Sequence, residues 1–358
     1  MSMPYRRLGR TGIQVSALGL GTMHLGPWGN ADADAAAAMV HRALDAGVNL
    51  VDTADMYSDG ESERIVGRAI RDRRDDVVLA TKAFFPMGAD VNRRGSSRRW
   101  IVKAVDESLR RLGTDRIDLY QVHRPDYSVD LDETLSALSD LVHAGKVLAI
   151  GSSGYPAERQ MEAHWIADRR GHVPFHTEQS PYSIFVRGIE KHVLPTAQRL
   201  DMGVLTWSPL NSGWLTGRFR SEADIDLRGF REMIGYKFDL RREGNRRKLD
   251  AVEKLLDLAG QTGLSLTHLA LAFAAAHPAV TSVLIGPRTP EQLDDLLGAA
   301  EVELDDAVLD RIDEIVQPAT DLNPEDVDNT PPHLADPALR RRHQMPRNQP
   351  PPLDQGPR

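Results

Sequence analysis

The chain has 358 residues, 41% of them hydrophobic and 27% charged, so it can build a large core and is not a disordered chain. Its 44 Lys and Arg against 52 Asp and Glu give a net charge of −8, which argues against nucleic acid as a partner because phosphates would be repelled. The sequence has no cysteine, which excludes disulfides, thiolate metal sites and a thiol nucleophile.

The N-terminal segment contains a short hairpin signal and no targeting signal. Residues 5–8 and 13–15 flank the turn sequence GRTG at 9–12, and we predict a hairpin that closes the bottom of a barrel. The segment has no apolar stretch of the signal-peptide type, and no apolar run elsewhere is long enough to span a membrane. We therefore expect a cytoplasmic protein with no membrane partner.

Short apolar runs alternate with segments of helical period along the rest of the chain. The runs, which are typical of parallel strands buried on both faces, cover residues 16–20, 48–52, 77–82, 117–123, 147–152, 176–179, 204–208 and 282–286. The helical segments cover residues 32–46, 62–71, 98–112, 132–143, 157–168, 188–200, 246–259, 266–276 and 290–298. Eight such units predict an α/β fold, a (β/α)8 TIM barrel within residues 1–317.

An open, doubly wound sheet is the alternative to a barrel. Such a sheet binds dinucleotides through a glycine-rich fingerprint that follows its first strand. The sequence at that place is Gly19-Leu20-Gly21-Thr22, which lacks the third glycine. The strand count and this missing glycine favour the barrel.

Two stretches fall outside the alternation. Residues 211–245 form a long, charged and irregular stretch after the seventh strand, and a loop of that length at the carboxyl side of a barrel strand is typical of a lid. Residues 318–358 form a Pro-rich tail without Phe, Trp or Tyr, which we expect to have no packed core of its own. We also expect a cut near Asp321 to leave the melting temperature almost unchanged.

Ionisable side chains stand at the predicted carboxyl ends of three neighbouring strands, where barrel enzymes have their active sites. Asp52 ends the second strand, Lys82 the third and His123 the fourth, and Tyr57 follows in the loop after Asp52. Taken singly, each has an ordinary structural interpretation, such as a helix cap, a packing ring or a solvated strand end. Together they point to one site.

The chemistry of these four groups fits carbonyl reduction. A lysine in an apolar barrel mouth needs a carboxylate partner, which Asp52 supplies. A cation beside a phenol stabilises the phenolate, so Lys82 makes Tyr57 a usable acid near neutral pH. His123 can orient a carbonyl oxygen by donating a hydrogen bond. A carbonyl held between Tyr57 and His123 is placed to accept a hydride and then a proton.

The sequence around these residues resembles the aldo-keto reductase superfamily from about Tyr5 to Val316. The matching motifs are LGLGT at 18–22, DTADMYS at 52–58, ESE at 61–63, TK at 81–82, DLYQVHRPD at 118–126 and GKV at 145–147. The resemblance implies a (β/α)8 barrel in which Asp52, Tyr57, Lys82 and His123 are catalytic. It further implies a nicotinamide dinucleotide, NADP(H), and reduction of a small-molecule aldehyde or ketone to the alcohol with Tyr57 as general acid.

The resemblance also implies which residues bind the cofactor. Ser153 and Gln179 match the pair beside the carboxamide, Trp207 matches the ring on the nicotinamide, and Arg288 is the candidate ligand of the 2′-phosphate. The other implied contacts are Gly21, Thr22, Asp52, Ser208, Pro209, Leu210, Gly213, Leu215, Gly217, Gly286, Gln292 and Asp295. Gly154 and Leu296 replace asparagines of the family pattern.

Aromatic residues near the predicted mouth suggest apolar aldehydes, aromatic ones included, as substrates. We expect the pocket to be lined by Trp28, Tyr57, Phe84, Phe85 and His123. The sequence shows no metal-ligand pattern or nucleophile elbow, so we expect no metal cofactor. Two other functions stay open, namely a cofactor-sensing regulatory protein, since potassium-channel β subunits resemble the same family, and a lyase that forms a Schiff base at Lys82.

Overall fold

The computed structural model describes residues 3–228, 230–328 and 330–339 of the chain. A hairpin of β1 (Tyr5–Arg7) and β2 (Gln14–Ser16) precedes a closed barrel of eight parallel strands. The barrel strands are β3 (Leu18–Gly21), β4 (Leu50–Asp52), β5 (Val78–Ala83), β6 (Ile117–Val122), β7 (Val147–Ser153), β8 (Thr177–Pro181), β9 (Gly203–Trp207) and β10 (Val280–Ile285). They follow one another around the barrel, and β10 pairs with β3 to close it. The predicted (β/α)8 fold is thereby confirmed.

The hairpin covers the amino-terminal end of the barrel. Leu8 and Val15 are fully buried and pack in one cluster with apolar side chains of the barrel interior. Between them, Gly9 has a φ of +54°, and a Cβ there would lie 2.4 Å from the carbonyl oxygen of His176. The turn can approach the barrel backbone this closely because glycine has no side chain.

Helices surround the barrel. They are α1 (Ala33–Asp45), α2 (Glu61–Ile70), α3 (Arg98–Leu112), α4 (Leu131–His143), α5 (Ala157–Arg170), α6 (Val193–Arg199), α7 (Phe230–Met233), α8 (Glu243–Thr262), α9 (Leu266–Ala276), α10 (Pro290–Leu297), α11 (Asp306–Ile315) and α12 (Pro332–Ala335). Each predicted helical segment overlaps one of them, whereas α7, α11 and α12 were not predicted. Within the described parts of the chain, no helix has both the length and the apolar character needed to cross a membrane.

Residues 211–245, which we call the lid segment, are folded rather than irregular. They contain short 3-10 turns, the helix α7 and the start of α8. Trp214 stacks on Phe238 with ring centroids 5.8 Å apart, and Phe219 packs 5.4 Å from Trp214. The prediction of an irregular stretch is therefore wrong, because these rings form a small core that strand or helix periodicity does not reveal.

The beginning of the predicted tail, residues 318–328, packs against the rest of the molecule. The Leu322 amide donates a hydrogen bond to the Phe185 carbonyl at 3.0 Å. Asp326 is buried, and one of its carboxylate oxygens lies 3.0 Å from Lys248 Nζ. These contacts argue against the expectation that a cut near Asp321 has little effect on the melting temperature.

The described residues do not include the last part of the predicted tail, residues 340–358. The boundary between a barrel ending at residue 317 and a separate tail stays a prediction. A pair of shortened chains can test it.

A chain that ends at Gln317 should be less stable than one that ends at Leu339. The shorter chain leaves the Lys248 ammonium buried without its carboxylate, and breaking a buried ion pair costs about 3–5 kcal/mol. At roughly 2–4 °C per kcal/mol, the melting temperature should fall by about 6 °C or more. Calorimetry of the two chains measures the difference, and equal melting temperatures would show that residues 318–339 add no stability.

Candidate active site

The barrel interior changes from apolar to polar toward the carboxyl ends of the strands. One inner layer is apolar and includes Leu50, Ala80, Leu119, Ala149, Leu205 and Leu284. Alternate residues of a strand point to the same face, so the next inner layer is two residues further along. It consists of Asp52, Lys82, Gln121, Gly151, Trp207 and Gly286. The polar side chains of this second layer are thereby collected at the barrel mouth.

Lys82 connects two of the other predicted catalytic residues. Its Nζ donates hydrogen bonds to Asp52 Oδ1 at 2.5 Å, to the Thr53 carbonyl at 2.8 Å and to the Tyr57 hydroxyl at 3.3 Å. The side chain is 0% exposed. Burial alone would lower the pKa of Lys82, but the adjacent Asp52 carboxylate and Tyr57 hold it above its ordinary value. Lys82 is therefore an ammonium ion at neutral pH, and it points at the phenol oxygen.

The loop after β4 carries Tyr57 back over the barrel mouth. The Asp55 amide donates to the Lys82 carbonyl at 3.0 Å, which ties this loop to the end of β5. The Tyr57 amide donates to the Ala54 carbonyl at 3.2 Å and begins the 3-10 turn Tyr57–Gly60. Two backbone hydrogen bonds thus fix the loop that carries the Tyr57 phenol.

The second carboxylate oxygen of Asp52 is held by two amides. Asp52 Oδ2 accepts hydrogen bonds from Gln179 Nε2 at 2.9 Å and from Gln121 Nε2 at 3.1 Å. These bonds orient the carboxylate so that Oδ1 faces Lys82. Sequence reasoning assigned no role to Gln121. Its place two residues after the inward-facing Leu119 is the signal that could have identified it.

His123 faces Tyr57 across the mouth, with ring centroids 6.0 Å apart and the planes at 80°. Burial first, and then the positive charges of Lys82 and Arg124, lower the pKa of His123 well below its ordinary value. Its Nδ1 is buried and has no hydrogen-bond partner among the described residues. A neutral imidazole of this kind can donate one hydrogen bond without bringing a second cation to the site.

His123 should stay neutral where an ordinary histidine, with a pKa of 6.5, becomes protonated. The unfolded chain takes up this proton as the pH falls below 6.5 and the folded chain does not, so the contribution of this group to stability declines below that pH. We expect nitrogen NMR of the His123 ring to show no protonation between about pH 5.5 and 7.5. A titration centred near 6.5 would contradict the buried, neutral imidazole.

Aromatic side chains border the mouth. Phe85 packs edge-on against His123 with centroids 5.0 Å apart, and Trp28 lies 6.4 Å from the Tyr57 ring. Phe84 is only 6% exposed and packs edge-on against Phe85 at 5.5 Å. Phe84 therefore supports Phe85 from behind, whereas the other four predicted pocket residues surround the opening.

The ends of β7, β8 and β9 carry the residues predicted to hold the nicotinamide. Ser153 is 1% exposed, and its Oγ has no hydrogen-bond partner within the described part of the chain. Ser153 is in register with Gln179 on the neighbouring strand, and Trp207 is half-buried at the end of β9. A buried hydroxyl without a partner, beside an amide and an indole, fits a planar carboxamide-bearing ring.

The segment after β9 has a backbone that turns repeatedly. Ser208 and Ser212 have φ values of 57° and 58°, and Gly213 has a φ of 97°. Pro209 and Leu215 are buried and have apolar side chains, so only their backbone atoms could form hydrogen bonds to a ligand. The other predicted residues of this segment are half-buried, namely Ser208, Leu210, Gly213 and Gly217.

Three arginines gather beside this segment. Partial burial, followed by the charges of Arg231 and Arg288, lowers the pKa of Arg218 to about 10. Burial and the same two arginines lower the pKa of His24 to about 4. None of the three guanidinium groups lies within 4.0 Å of a carboxylate of the described residues, although the charge of Asp226 acts on Arg218 and Arg231 from a greater distance. Sequence reasoning found Arg288 but missed Arg218 and Arg231, because both lie in the lid segment.

Three guanidinium groups without a close ion pair in the described part of the chain, next to a loop and the start of α10, suit a ligand with phosphate groups. Comparison with known proteins identifies the family of the chain. A model of the aldo/keto reductase family matches residues 17–317. The chain belongs to the aldo/keto reductase family. Members of this family are oxidoreductases that generally use NAD(P)H, and small carbonyl compounds fit them as substrates.

Relatives of this aldo/keto reductase carry the names of oxidoreductases and of channel subunits. The uncharacterized oxidoreductase YrpG of Bacillus subtilis is 38% identical over 326 residues, which are 87% of this chain and 96% of YrpG. The aldo-keto reductase YhdN of the same organism is 38% identical over 299 residues, 82% of this chain and 88% of YhdN. A putative voltage-gated potassium channel subunit beta of Schizosaccharomyces pombe is 34% identical over 324 residues, 88% and 94% of the two chains.

The remaining residues that the resemblance singled out lie at the ends of β3 and β10. Thr22 follows Gly21, and its hydroxyl donates to the Asp52 carbonyl at 3.1 Å. Beyond Gly286, Gln292 Oε1 accepts a hydrogen bond from the Arg288 amide at 2.9 Å.

Leu296 and Gly154, the two residues that depart from the aldo/keto reductase pattern, lie in different surroundings. Leu296 is 6% exposed, because it lies on the buried face of α10, and it offers no polar group to a ligand. Asp295, one residue before it, is exposed and has its Oδ1 3.2 Å from His268 Nε2. The Gly154 amide donates to the Gln179 carbonyl at 3.0 Å, which fixes the turn after Ser153.

Proposed function

We propose that this aldo/keto reductase is an NADP(H)-dependent enzyme that reduces an aldehyde or ketone to the alcohol, with Tyr57 as general acid. The position of Lys82 carries the proposal, with Nζ 2.5 Å from Asp52 Oδ1 and 3.3 Å from the Tyr57 hydroxyl. Because Lys82 donates to the phenol oxygen, the phenolic proton stays available for a substrate oxygen. The phenolate that remains after proton transfer is stabilised by the adjacent ammonium.

The residues of the mouth then have distinct tasks. A bound nicotinamide supplies the hydride from its C4, and the hydride forms the new C–H bond at the carbonyl carbon. His123 holds the carbonyl oxygen by donating a hydrogen bond from its neutral ring. Tyr57 transfers its proton to the same oxygen, which completes the alcohol, and takes up a proton from water afterwards. Asp52, held by Gln121 and Gln179, keeps the Lys82 ammonium in place.

The residues around the mouth support a specific placement of the cofactor. Ser153 Oγ is buried and without a partner among the described residues, and it would donate to the carboxamide oxygen of the bound cofactor. Gln179 uses its Nε2 for Asp52, so its Oε1 is the atom left to accept from the carboxamide nitrogen. Trp207 offers a ring surface on which the nicotinamide packs.

The three arginines support NADP(H) rather than NAD(H). The two cofactors differ by a 2′-phosphate, and its negative charge must be offset locally on a protein whose net charge is −8. Arg288 stands just before α10, and Arg218 and Arg231 approach it from the lid segment. Together they provide the positive charge that this phosphate requires.

The rings of Trp28, Phe85 and His123 favour an apolar or aromatic aldehyde over a highly charged substrate. A small-molecule carbonyl compound is therefore the proposed substrate class. A cytoplasmic location stays a prediction from the sequence.

A second candidate function is a cofactor-sensing regulatory subunit, because some relatives are described as potassium-channel subunits. Retention of Asp52, Tyr57, Lys82 and His123 is compatible with both functions, whereas steady turnover is expected only of an enzyme. The third possibility, a Schiff base at Lys82, receives no support. The raised pKa of Lys82 keeps its nitrogen protonated, and an ammonium is not a nucleophile.

A panel of aldehydes and ketones, assayed by the loss of NADPH absorbance, tests the proposed function. We expect at least one aromatic aldehyde to be reduced at about 1 per second or faster, the usual range of enzymes. Mixtures without the carbonyl compound control for spontaneous oxidation of NADPH. Tight NADPH binding without turnover on any member of the panel would favour the regulatory function instead.

A further inference from the structure

A strap formed by residues 320–328 crosses the lid segment. Asn323 Nδ2 donates to Asn245 Oδ1 at 2.9 Å, at the start of α8. Lys237 Nζ donates to Asp328 Oδ2 at 2.5 Å. The strap therefore contacts the lid segment near its middle, at Asn323, and at its last residue, Asp328.

One residue of the strap, Asp326, forms a buried ion pair with Lys248 of α8. Lys248 Nζ lies 3.0 Å from Asp326 Oδ2, and the side chains are 0% and 1% exposed. Lys248 Nζ also donates to the Lys237 carbonyl at 3.0 Å and lies 5.0 Å from the centre of the Trp214 ring. The ion pair thus joins the strap to α8 and to the aromatic core of the lid segment.

The same carboxylate reaches the segment that follows β9. Asn211 Nδ2 donates to Asp326 Oδ2 at 3.0 Å, and Asn211 Oδ1 accepts from Lys248 Nζ at 3.3 Å. Asn211 is itself 4% exposed and has a φ of 47°. It stands between Leu210 and Gly213, two of the residues that the family resemblance assigns to cofactor binding.

We propose that Asp326 is a positioning residue that fastens the strap onto residues 208–217 and thereby slows the release of the bound dinucleotide. The ligand named here rests on the proposed function. Residues that cover a ligand must move before it can leave, and such motions set the rate of product release in many enzymes. Moving residues 208–217 away from the site requires the bond between Asn211 and Asp326 to break, or the strap to move with them.

The first variant to test is Asp326→Asn, with Glu325→Gln as its matched control. Glu325 is the neighbouring strap residue, is exposed, and pairs with Arg242 rather than with Asn211. Stopped-flow displacement of NADPH by excess NADP⁺ measures the release rate. We expect release from Asp326→Asn to be about tenfold faster or more, because Asn removes the negative charge from the acceptor of this buried hydrogen bond. The Glu325→Gln variant should release NADPH at the wild-type rate.

A positioning role has a further signature. With NADPH saturating, the single-turnover rate of hydride transfer should be the same in Asp326→Asn and the wild type, because Asp326 does not touch the reacting groups. Faster release with unchanged hydride transfer supports the proposal. Unchanged release with a lower melting temperature would mean that Asp326 serves stability alone, and this result would overturn it.

The single variant leaves Lys248 buried without a partner and can be too unstable to study. The double variant Lys248→Met/Asp326→Leu removes both charges, and apolar replacement of a buried ion pair is often neutral for stability. Leu at position 326 also removes the acceptor for Asn211 altogether, so we expect release at least as fast as from Asp326→Asn. Wild-type release from this folded double variant would also overturn the proposal.

Hydrogen exchange of the cofactor-free proteins separates this proposal from the proposed function. Amides of residues 208–217 should exchange faster in the double variant than in the wild type or in Glu325→Gln. If the wild type fails to bind NADPH, the proposed function is wrong, and the exchange result alone decides whether Asp326 fastens these residues. Equal exchange in all three proteins would contradict the fastening.

Discussion

Replacing Tyr57 with Phe is expected to lower the turnover number on a good aldehyde by about 100-fold or more, the usual contribution of a general acid. The substitution keeps the ring that packs near Trp28 and His123 and removes only the hydroxyl that accepts from Lys82. NADPH affinity should change little, because no proposed cofactor contact is lost. Steady-state kinetics and a binding titration measure the two quantities.

Tyr5→Phe is the matched control for this result. The Tyr5 hydroxyl donates to the Gly47 carbonyl at 2.7 Å, in the hairpin at the opposite end of the barrel. Removing it deletes the same atom far from the mouth, so turnover should stay near the wild-type value. If Tyr57→Phe also turned over at a rate close to wild type, the phenol would not be the proton donor.

Replacing Arg288 with Ala is expected to weaken NADPH binding by about ten- to a hundred-fold, since charge-assisted contacts contribute roughly 1.5–3 kcal/mol. NADH has no 2′-phosphate, so its affinity should be nearly unchanged. Fluorescence titration with each cofactor measures this difference in selectivity. Arg218→Ala and Arg231→Ala should show the same preference for weakening NADPH, because both guanidinium groups approach Arg288.

Arg42→Ala is the control for charge alone. Arg42 is exposed and lies beside the same helix α10, where it pairs with Asp294. Its removal changes the net charge by the same amount but leaves Arg218, Arg231 and Arg288 in place. Equal loss of NADPH and NADH affinity in Arg288→Ala, or a selective loss of NADPH in Arg42→Ala, would contradict the assignment of the phosphate site.

The fold follows from the sequence because its main signals are local. Apolar runs that end in Asp52 and Lys82 alternate with amphipathic segments, and parallel strands with short connections close in chain order. The helix α11 escaped prediction since Ile312 is its one fully buried residue among those described, which leaves little apolar pattern. The lid segment escaped because Trp214 and Phe238 meet only after the chain has turned.

The polar layer of the site was only partly predictable. Asp52, Lys82 and His123 stand at strand ends, so their gathering at one mouth follows from the barrel itself. Gln121 lies in the same layer, but an amide carries no charge that would single it out in a sequence. Its contact with Asp52 depends on the register between β4, β5 and β6, which periodicity alone does not determine.

Contacts of the strap could not be predicted because they join residues far apart in the chain. Asp326 and Lys248 are ordinary charged residues in a sequence, and only the tertiary structure buries them together with Asn211. Composition indicated a tail from residue 318 onward without a packed core of its own. A few buried polar contacts are enough to dock such a segment without any apolar pattern.

The most direct test of the proposed reductase activity is whether deuterium moves from the cofactor to the substrate. The protein is incubated with an aldehyde and NADPH that carries deuterium at C4 on the transferred face, and the product is analysed by mass spectrometry. Direct hydride transfer predicts an alcohol with one deuterium on the former carbonyl carbon, formed at least about 100-fold more slowly by Tyr57→Phe. Bound NADPH that transfers no deuterium to any carbonyl compound would contradict the proposed reductase.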